Sequence, residues 1–442
     1  MEIGIEAASY FVPKLYLSIE ELANHRGIDE QKLKNGLGLN KISLLDINED
    51  TATLAAEALL RLITDYDINP SEISRIYLGT ESALDAAKPT ATYSVQMVAS
   101  ILENKYGKRC FLNCDVVDIT FACIGAVDAL HNALDFVRAN PTKKAVVIAA
   151  DYAKYTLKSS GEYTQGAGAV ALLISNTPNL ISIDNYWGVA TESVFDFFKP
   201  RRQYKKDTFN NLSDEFPERI ELFTDEPVFD GQYSNDCFKD RIKEAYQHFK
   251  KEKNTTDNLL ETWKHIVFHL PYAYHGKRIC TELFAIEYGL PYTSKDDIKA
   301  VSNSMAYKHF TNQKMATAQI ASSEVGNLYT ASIFMALLST LQAAFNNGDE
   351  IDGNKIGFFA YGSGSKAKVF EAKINSSWKN VVKHWNLFEN LNQRIAINFE
   401  QYEALHKKAL KNAIQLNPKG FKLTHIELEK PTLTGARFYT YL

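Results

Sequence analysis

Two runs of alternating strand and helix, separated by a polar interval, constrain this chain more than any other feature. Residues 50–65 form an amphipathic pattern, with Leu54, Ala58 and Leu62 one turn apart and Asp50 or Thr51 placed to cap the helix. Residues 73–79 are a short apolar run bounded by glycine, 92–106 are helical up to Gly107, and 115–120 read as a strand. A helix follows in FACIGAVDALHNALDFV, with Ile124, Val127, Leu130, Leu134 and Val137 on one face. The runs 144–150 and 166–174 are almost continuously apolar, the type of strand covered on both sheet faces. This alternation predicts an α/β sheet with helical crossovers. It returns after residue 263, with strands at 264–270, 355–361 and 366–374 and helices at 276–289 and 326–345.

The interval 199–262, with KPRRQYKKD and KKEKNTTDN, is charged and polar, and an inserted helical or loop-rich surface region is expected there. The two halves, 1–175 and 176–442 with this interval inserted in the second, can be laid over one another. Each has a strand ending in a polar residue (Glu81, His269), then a helix opening near a small or reactive one (Cys123, Asn327), then a lysine leading into a buried strand. A duplicated α/β unit leaves this pattern, and its strand ends and helix starts can converge on one cleft.

Composition narrows the function. With 49 Lys and Arg against 53 Asp and Glu in 442 residues, the net charge of −4 gives no clustered basic footprint for nucleic acid. Apolar runs are broken well before 18 residues, so no membrane span is expected, and the N-terminus lacks the pattern of an export signal. Five cysteines, an odd and irregular set, point to free thiols in a reducing, cytoplasmic setting. Cys110 and Cys114 make a C-x₃-C pair without a second ligand pair, so no metal site is expected.

Three residues stand out chemically. Cys123 sits where a strand gives way to a helix, whose free N–H groups stabilise a thiolate and an oxyanion. Glu81 directly follows a buried strand, where α/β folds place ligands and where burial raises a carboxyl pKa toward that of a general base. His269 ends a strand before Pro271 and suits a neutral hydrogen-bonding acid, with His265 and His275 competing for the role. Asn327 mirrors Cys123 before the later helix. The YGSGS run at 361–365 precedes a strand rather than a helix, which excludes a nucleotide fingerprint and leaves a hairpin that can aim the Ser363 N–H into a cleft. The charge runs read as solvated faces, although one of them, or Lys277 with Arg278, could meet the phosphates of a nucleotide carrier.

The stretches GLGLNK, LGTES, DITFACIGAVDAL, GEYTQGAGAVALLI, FDFFKP, PVFDGQYS, FHLPYAYHGKR, SEVGNLYTAS and YGSGS occur in one order over most of the chain. In this the chain resembles the hydroxymethylglutaryl-CoA synthase family of the thiolase superfamily. The resemblance implies a duplicated five-layered α/β/α/β/α fold, usually a homodimer, and condensation of acetyl-CoA with acetoacetyl-CoA and water in the mevalonate route. CoA thioesters are then substrates and no separate cofactor is implied. The resemblance makes Cys123 the nucleophile, Glu81 the general acid/base and His269 the residue that polarises acetoacetyl-CoA. It puts Asn327 at the acyl site and the backbone N–H groups of Ser363 and Cys123 at an oxyanion hole. Tyr155, Thr164, Asp196 and Ser234 match positions near the acyl or pantetheine groups, and Asp29 and Lys32 match the nucleotide side. A family lysine is Tyr274 here, while the later basic position is kept as Arg278. Two other readings are a polyketide β-branching synthase fed by an acyl carrier protein, and a non-catalytic acyl-CoA-binding homologue.

Overall fold

The computed structural model describes residues 2–210 and 212–442. In chain order its first half comprises β1 (Gly4–Phe11), α1 (Thr51–Asp65), β2 (Ile73–Gly79), α2 (Thr90–Tyr106), β3 (Asp115–Ile119), α3 (Gly125–Ala139), β4 (Lys144–Ala153) and β5 (Gly166–Ser175). The second half supplies β6 (Ile181–Ile183), β7 (Gly188–Thr191), α4 (Gly231–Glu252), β8 (His265–Phe268), α5 (His275–Glu287), α6 (Ala316–Val325), α7 (Ser332–Asn347), β9 (Lys355–Gly362) and β10 (Lys366–Ile374). All ten strands belong to one sheet in the order β3-β2-β4-β5-β1-β6-β10-β9-β8, with β7 also on β10.

This order is close to a palindrome. The first half runs third, second, fourth, fifth, first; the second half runs outward from its own first strand to its last and then its earlier ones. The halves meet edge to edge where β1 and β6 pair antiparallel, Gly4 against Ser182 and Ile5 against Ile181. Each half keeps a parallel pair on its outer flank (β2 with β4, β8 with β9) and an antiparallel pair inside it (β4 with β5, β9 with β10). The duplication expected from the sequence is thus written into strand order.

Helices fix the layers. α1 starts at an Asp50–Thr53 capping box and packs with α2 on one face of the first half. α3 covers the opposite face, and its far side meets the second half. Lys366 and Lys368 of β10 reach Asp128 at 2.6 and 2.9 Å, and His131 stacks on Trp187, which stacks on Phe370. α7 is buried from Ser332 to Ala344 without a polar face, as a middle-layer helix must be. On the outer face of the second half, Phe359 stacks on Phe268 and meets Tyr246 of α4. The one continuous sheet thus has helices on both outer faces and α3 between its two halves, so that the halves form the two sheet layers of a five-layered α/β/α/β/α arrangement.

The polar interval splits into two parts. Its beginning lies at the surface, as expected, and forms short hairpins, Arg202–Lys205 with Arg219–Leu222 and Phe197–Phe198 with Val228–Phe229. Its end, however, is α4, a core-forming helix of the outer layer rather than a surface insertion. Phe238, Ile242, Ala245, Tyr246 and Phe249 recur at helical spacing beneath a lysine-rich outer face. Gly188 lets α4 approach, because a Cβ there would fall 2.0 Å from the Ala245 carbonyl oxygen.

Candidate active site

The strand ends of both halves open into a cavity of about 400 Å³. Cys123, His269 and Asn327, three of the four mirrored positions, line it together with Ser363, while the fourth, Glu81, lines the adjoining cavity and meets this one through its contact with Cys123. Tyr155, Thr164, Ser234 and Arg278 line it as well.

Cys123 is in the loop between β3 and α3, just before the first helical turn. Its neighbour Ala122 has φ 38°, a left-handed backbone that costs a non-glycine residue free energy and marks a loop held by its surroundings. Gly362 at the end of β9 makes that approach possible, since a Cβ there would meet Phe121 O at 2.8 Å and Ile124 N at 2.9 Å. The thiol is nested among Ala153, Tyr155, Tyr329, Phe197 and Phe229. It donates to Glu81 Oε1 at 3.0 Å.

The electrostatics of this pair differ from a simple helix-terminus thiolate. Burial, followed by the Glu81 charge, pushes the Cys123 thiol well above its ordinary value, so the thiol is neutral at rest. Desolvation and an adjacent anion outweigh the helix dipole. Burial likewise raises Glu81 to about 7, with Lys199 pulling it down and Asp151 pushing it up. Lys199 Nζ lies 3.6 Å from Glu81 Oε2 and 4.5 Å from the centre of the Tyr329 ring. Asp151, fully buried at the end of β4, accepts from Thr80 Oγ1 and the Glu81 N–H at 2.9 Å and from the Thr330 N–H at 3.0 Å. One carboxylate thereby ties the Glu81 loop to the segment that leads into α7.

The second half contributes neutral groups. His269 is 2 % exposed, and burial lowers its pKa to about 3. Its backbone N–H donates to Phe359 O at 2.9 Å, which keeps it in line with the sheet. Asn327 is not the first residue of α7 but lies ahead of it, its Oδ1 accepting the Tyr329 N–H at 2.8 Å and its own N–H donating to Thr164 O at 2.9 Å.

Other positions fall elsewhere. Asp196 is fully buried outside the cavity wall; it accepts from Tyr361 Oη at 2.8 Å, Ser234 Oγ at 3.0 Å and the Gly364 N–H at 2.7 Å. It braces the YGSGS turn instead of facing a ligand. Asp29 caps the helix Glu30–Leu37, and neither it nor Lys32 lines the cavity, whereas Leu37 from the same helix does. Arg278 donates to Tyr272 Oη at 3.2 Å and to Gly36 O at 2.9 Å. Lys199 and Asp151 were not legible as site residues; Lys199 in particular opens a charge run that reads as solvent-facing. No group of three His, Cys, Asp or Glu among the described residues is arranged to hold a metal ion, and no described helix is long and apolar enough to cross a membrane.

The comparisons with known proteins agree with this geometry. The family profile for the N-terminal part of hydroxymethylglutaryl-coenzyme A synthase matches residues 1–179, and that for the C-terminal part matches residues 276–424. The chain belongs to the hydroxymethylglutaryl-CoA synthase family. It is therefore an acyl-CoA condensing enzyme of the thiolase superfamily. The hydroxymethylglutaryl-CoA synthase of Haloferax volcanii is 29 % identical over 433 residues, 91 % of each chain. That of Enterococcus faecalis is 29 % identical over 410 residues, 93 % of each chain. Among solved structures, MvaS in complex with 3-hydroxy-3-methylglutaryl coenzyme A superposes with a TM-score of 0.82 at 29 % identity, over 100 % of this chain and 99 % of that one. The synthase of the curacin biosynthetic pathway shares the fold, with a TM-score of 0.78, but only 21 % of its residues. The polyketide reading is accordingly not favoured.

Proposed function

We propose that this chain condenses acetyl-CoA with acetoacetyl-CoA and water to give 3-hydroxy-3-methylglutaryl-CoA and free CoA, supplying the mevalonate route, and that it does so as a cytoplasmic homodimer. The observation that carries the reading is the buried Cys123–Glu81 contact of 3.0 Å, facing the same cavity as a neutral His269. Five free thiols fit a reducing compartment.

In the first step the Cys123 sulfur attacks the acetyl thioester and the bond from the acetyl carbon to CoA sulfur breaks. The thiol proton ends on the departing CoA sulfur. The acetyl group now rides on Cys123 and Glu81 stands beside it as a carboxylate. With a pKa of about 7, Glu81 is matched to a general base working near neutrality. It removes a methyl proton from acetyl-Cys123. The backbone N–H groups of Cys123 and Ser363 hold the enolate oxygen, where preorganised donors in a dry pocket lower the barrier most. The enolate carbon attacks the ketone of acetoacetyl-CoA, whose oxygen accepts from the His269 N–H and takes the methyl proton back from Glu81 as the carbon–carbon bond forms, which leaves Glu81 a carboxylate. Water then cleaves the thioester to Cys123, which releases the product and restores the thiol. Asn327, Thr164 and Tyr155 shape the acyl end, while Ser234 and Arg278 contact the CoA arm. Asp29 and Lys32 belong to the outer, nucleotide side.

Intact-protein mass spectrometry after incubation with acetyl-CoA alone tests the scheme. One added acetyl group, mapped to Cys123 and discharged by acetoacetyl-CoA, is the expected result. Labelling only by an acetylated carrier protein would reassign the donor, and no labelling by either would leave a binding protein.

A further inference from the structure

The mechanism leaves one buried group in the cavity without a task. His275 opens α5 at the end of the turn that starts at His269, its N–H donating to Tyr272 O at 3.0 Å. It is 3 % exposed, and it lines the same cavity as Cys123 and His269. Its Nδ1 is sealed in protein with no hydrogen-bond partner, as is Nδ1 of His269. Buried polar groups left unpaired are uncommon and costly, so two in one cavity wall require a reason.

The two imidazoles are neighbours. The Phe238 ring lies 4.7 Å from the His275 ring and 6.2 Å from that of His269, centre to centre. Burial, then the nearby His269, holds His275 well below its ordinary pKa, so it too is neutral. A neutral imidazole has one N–H and one bare nitrogen. With Nδ1 sealed and unpartnered on both rings, Nε2 is the nitrogen that meets a ligand. An unpaired acceptor is also tolerated better than an unpaired donor, which places the proton on Nε2. This wall of the cavity thus carries two uncharged imidazole N–H donors, both packed about the Phe238 ring.

We propose that His275 is a specificity-determining residue for the acceptor: its Nε2–H binds the thioester carbonyl of a 3-oxoacyl-CoA while His269 binds the ketone one methylene away. This rests on the condensation reading above. Simple acyl thioesters have one carbonyl, which the Cys123 side of the cavity takes. Only a 1,3-dicarbonyl substrate satisfies both imidazoles at once. The pair therefore separates the two substrates that share this cavity.

The test uses the full-length protein with H275L, H275Q and H275N, reading two quantities: KM for acetoacetyl-CoA, and the rate of Cys123 acetylation by acetyl-CoA alone. Losing one hydrogen bond to the acceptor predicts a KM roughly tenfold higher in H275L, with acetylation within about twofold of the wild type. Gln places an amide N–H where Nε2 was and should restore KM to within about threefold, whereas Asn, whose amide reaches only the Nδ1 position, should not. If H275L does not fold, the contrast between Gln and Asn decides the question alone. An unchanged KM, an equal loss in acetylation and condensation, or equal behaviour of Gln and Asn would overturn the proposal. Failure of the wild type itself to condense would instead overturn the function on which it rests, and the two failures are told apart by that control.

Discussion

The two halves of the molecule are built on nearly the same strand order, yet they bring opposite chemistry to the shared cavity. The first half supplies groups that carry charge and protons. Glu81 touches the Cys123 thiol at 3.0 Å and is held between Asp151 of its own half and Lys199, which reaches across from the start of the polar interval. The second half supplies neutral imidazoles, His269 and His275, whose Nδ1 atoms have no partner at all. Duplication gave two equivalent cleft walls; the side chains then divided the labour. One wall makes and breaks bonds. The other holds an electrophile by its oxygens in surroundings too dry to charge a histidine.

The sharpest way to break this division is to remove the proton-carrying pair. Cys123→Ala should reduce turnover by about 10⁴-fold or more while the protein stays folded, since nucleophile loss in a covalent mechanism is close to complete. Glu81→Ala should behave differently in the two half-reactions. The Glu81 charge and its hydrogen bond both push the Cys123 thiol pKa up, so their removal eases thiolate formation and acetylation survives. Condensation, which needs the base, should fall by about 10³-fold. Equal loss in both half-reactions would mean that Glu81 serves the nucleophile and that the methyl proton goes elsewhere.

On the opposite wall, His269→Leu should leave acetylation of Cys123 intact and reduce kcat/KM for acetoacetyl-CoA by about 10²-fold, the usual cost of losing one donor to a developing oxyanion. Because burial keeps His269 near 3, no limb of the pH profile between 5 and 8 should belong to it. A limb in that range that disappears in the His269→Leu variant would show that the wall does become charged.

Much of this division is readable from the sequence. Glu81, Cys123 and His269 each mark the end of an apolar strand, and apolar runs long enough to cover both sheet faces are hard to mistake. What stays hidden depends on partners distant in sequence. Lys199 opens a run of basic residues and reads as solvent-facing, but its Nζ is buried against Glu81, 118 positions away by number. The apolar face of α4 is diluted by lysines on the opposite face. The segment after residue 375 carries no motif, yet His406 meets Tyr155 O at 2.7 Å, and Tyr402 donates to Glu162, which also binds Arg26, so it braces the loop that bears Thr164. A packing role of that kind leaves no local signature.

Lys199 sharpens the comparison in a graded way. Its charge lowers the Glu81 pKa, so Lys199→Met should raise that pKa above about 7. Less carboxylate is then present at neutrality, and the acid limb of kcat/KM moves to higher pH. A shift of about one unit corresponds to a loss of roughly tenfold on that limb, recovered by raising the pH by the same amount. A loss that persists at pH 9 would assign Lys199 to substrate contact rather than to tuning the base.

The smallest effect concerns the third neutral histidine of the second half. His265, in β8, lines no part of the cavity, and neither of its ring nitrogens has a partner. Burial lowers its pKa to about 4, against 6.5 for the ordinary value. When the protein unfolds below pH 6.5 this ring takes up a proton that the folded state refuses. The native state therefore loses stability as pH falls from 6.5 toward 4, by roughly 1.4 kcal/mol per unit. His265→Leu removes that dependence and removes an unpaired polar group, at a similar side-chain volume. Urea denaturation should find the variant close to wild type at pH 7.5 and relatively more stable by about 2 kcal/mol at pH 5, with acetylation and condensation unaltered. A variant whose advantage does not grow on acidification would place the acid sensitivity of this half in His269 and His275, the two rings that face the substrate.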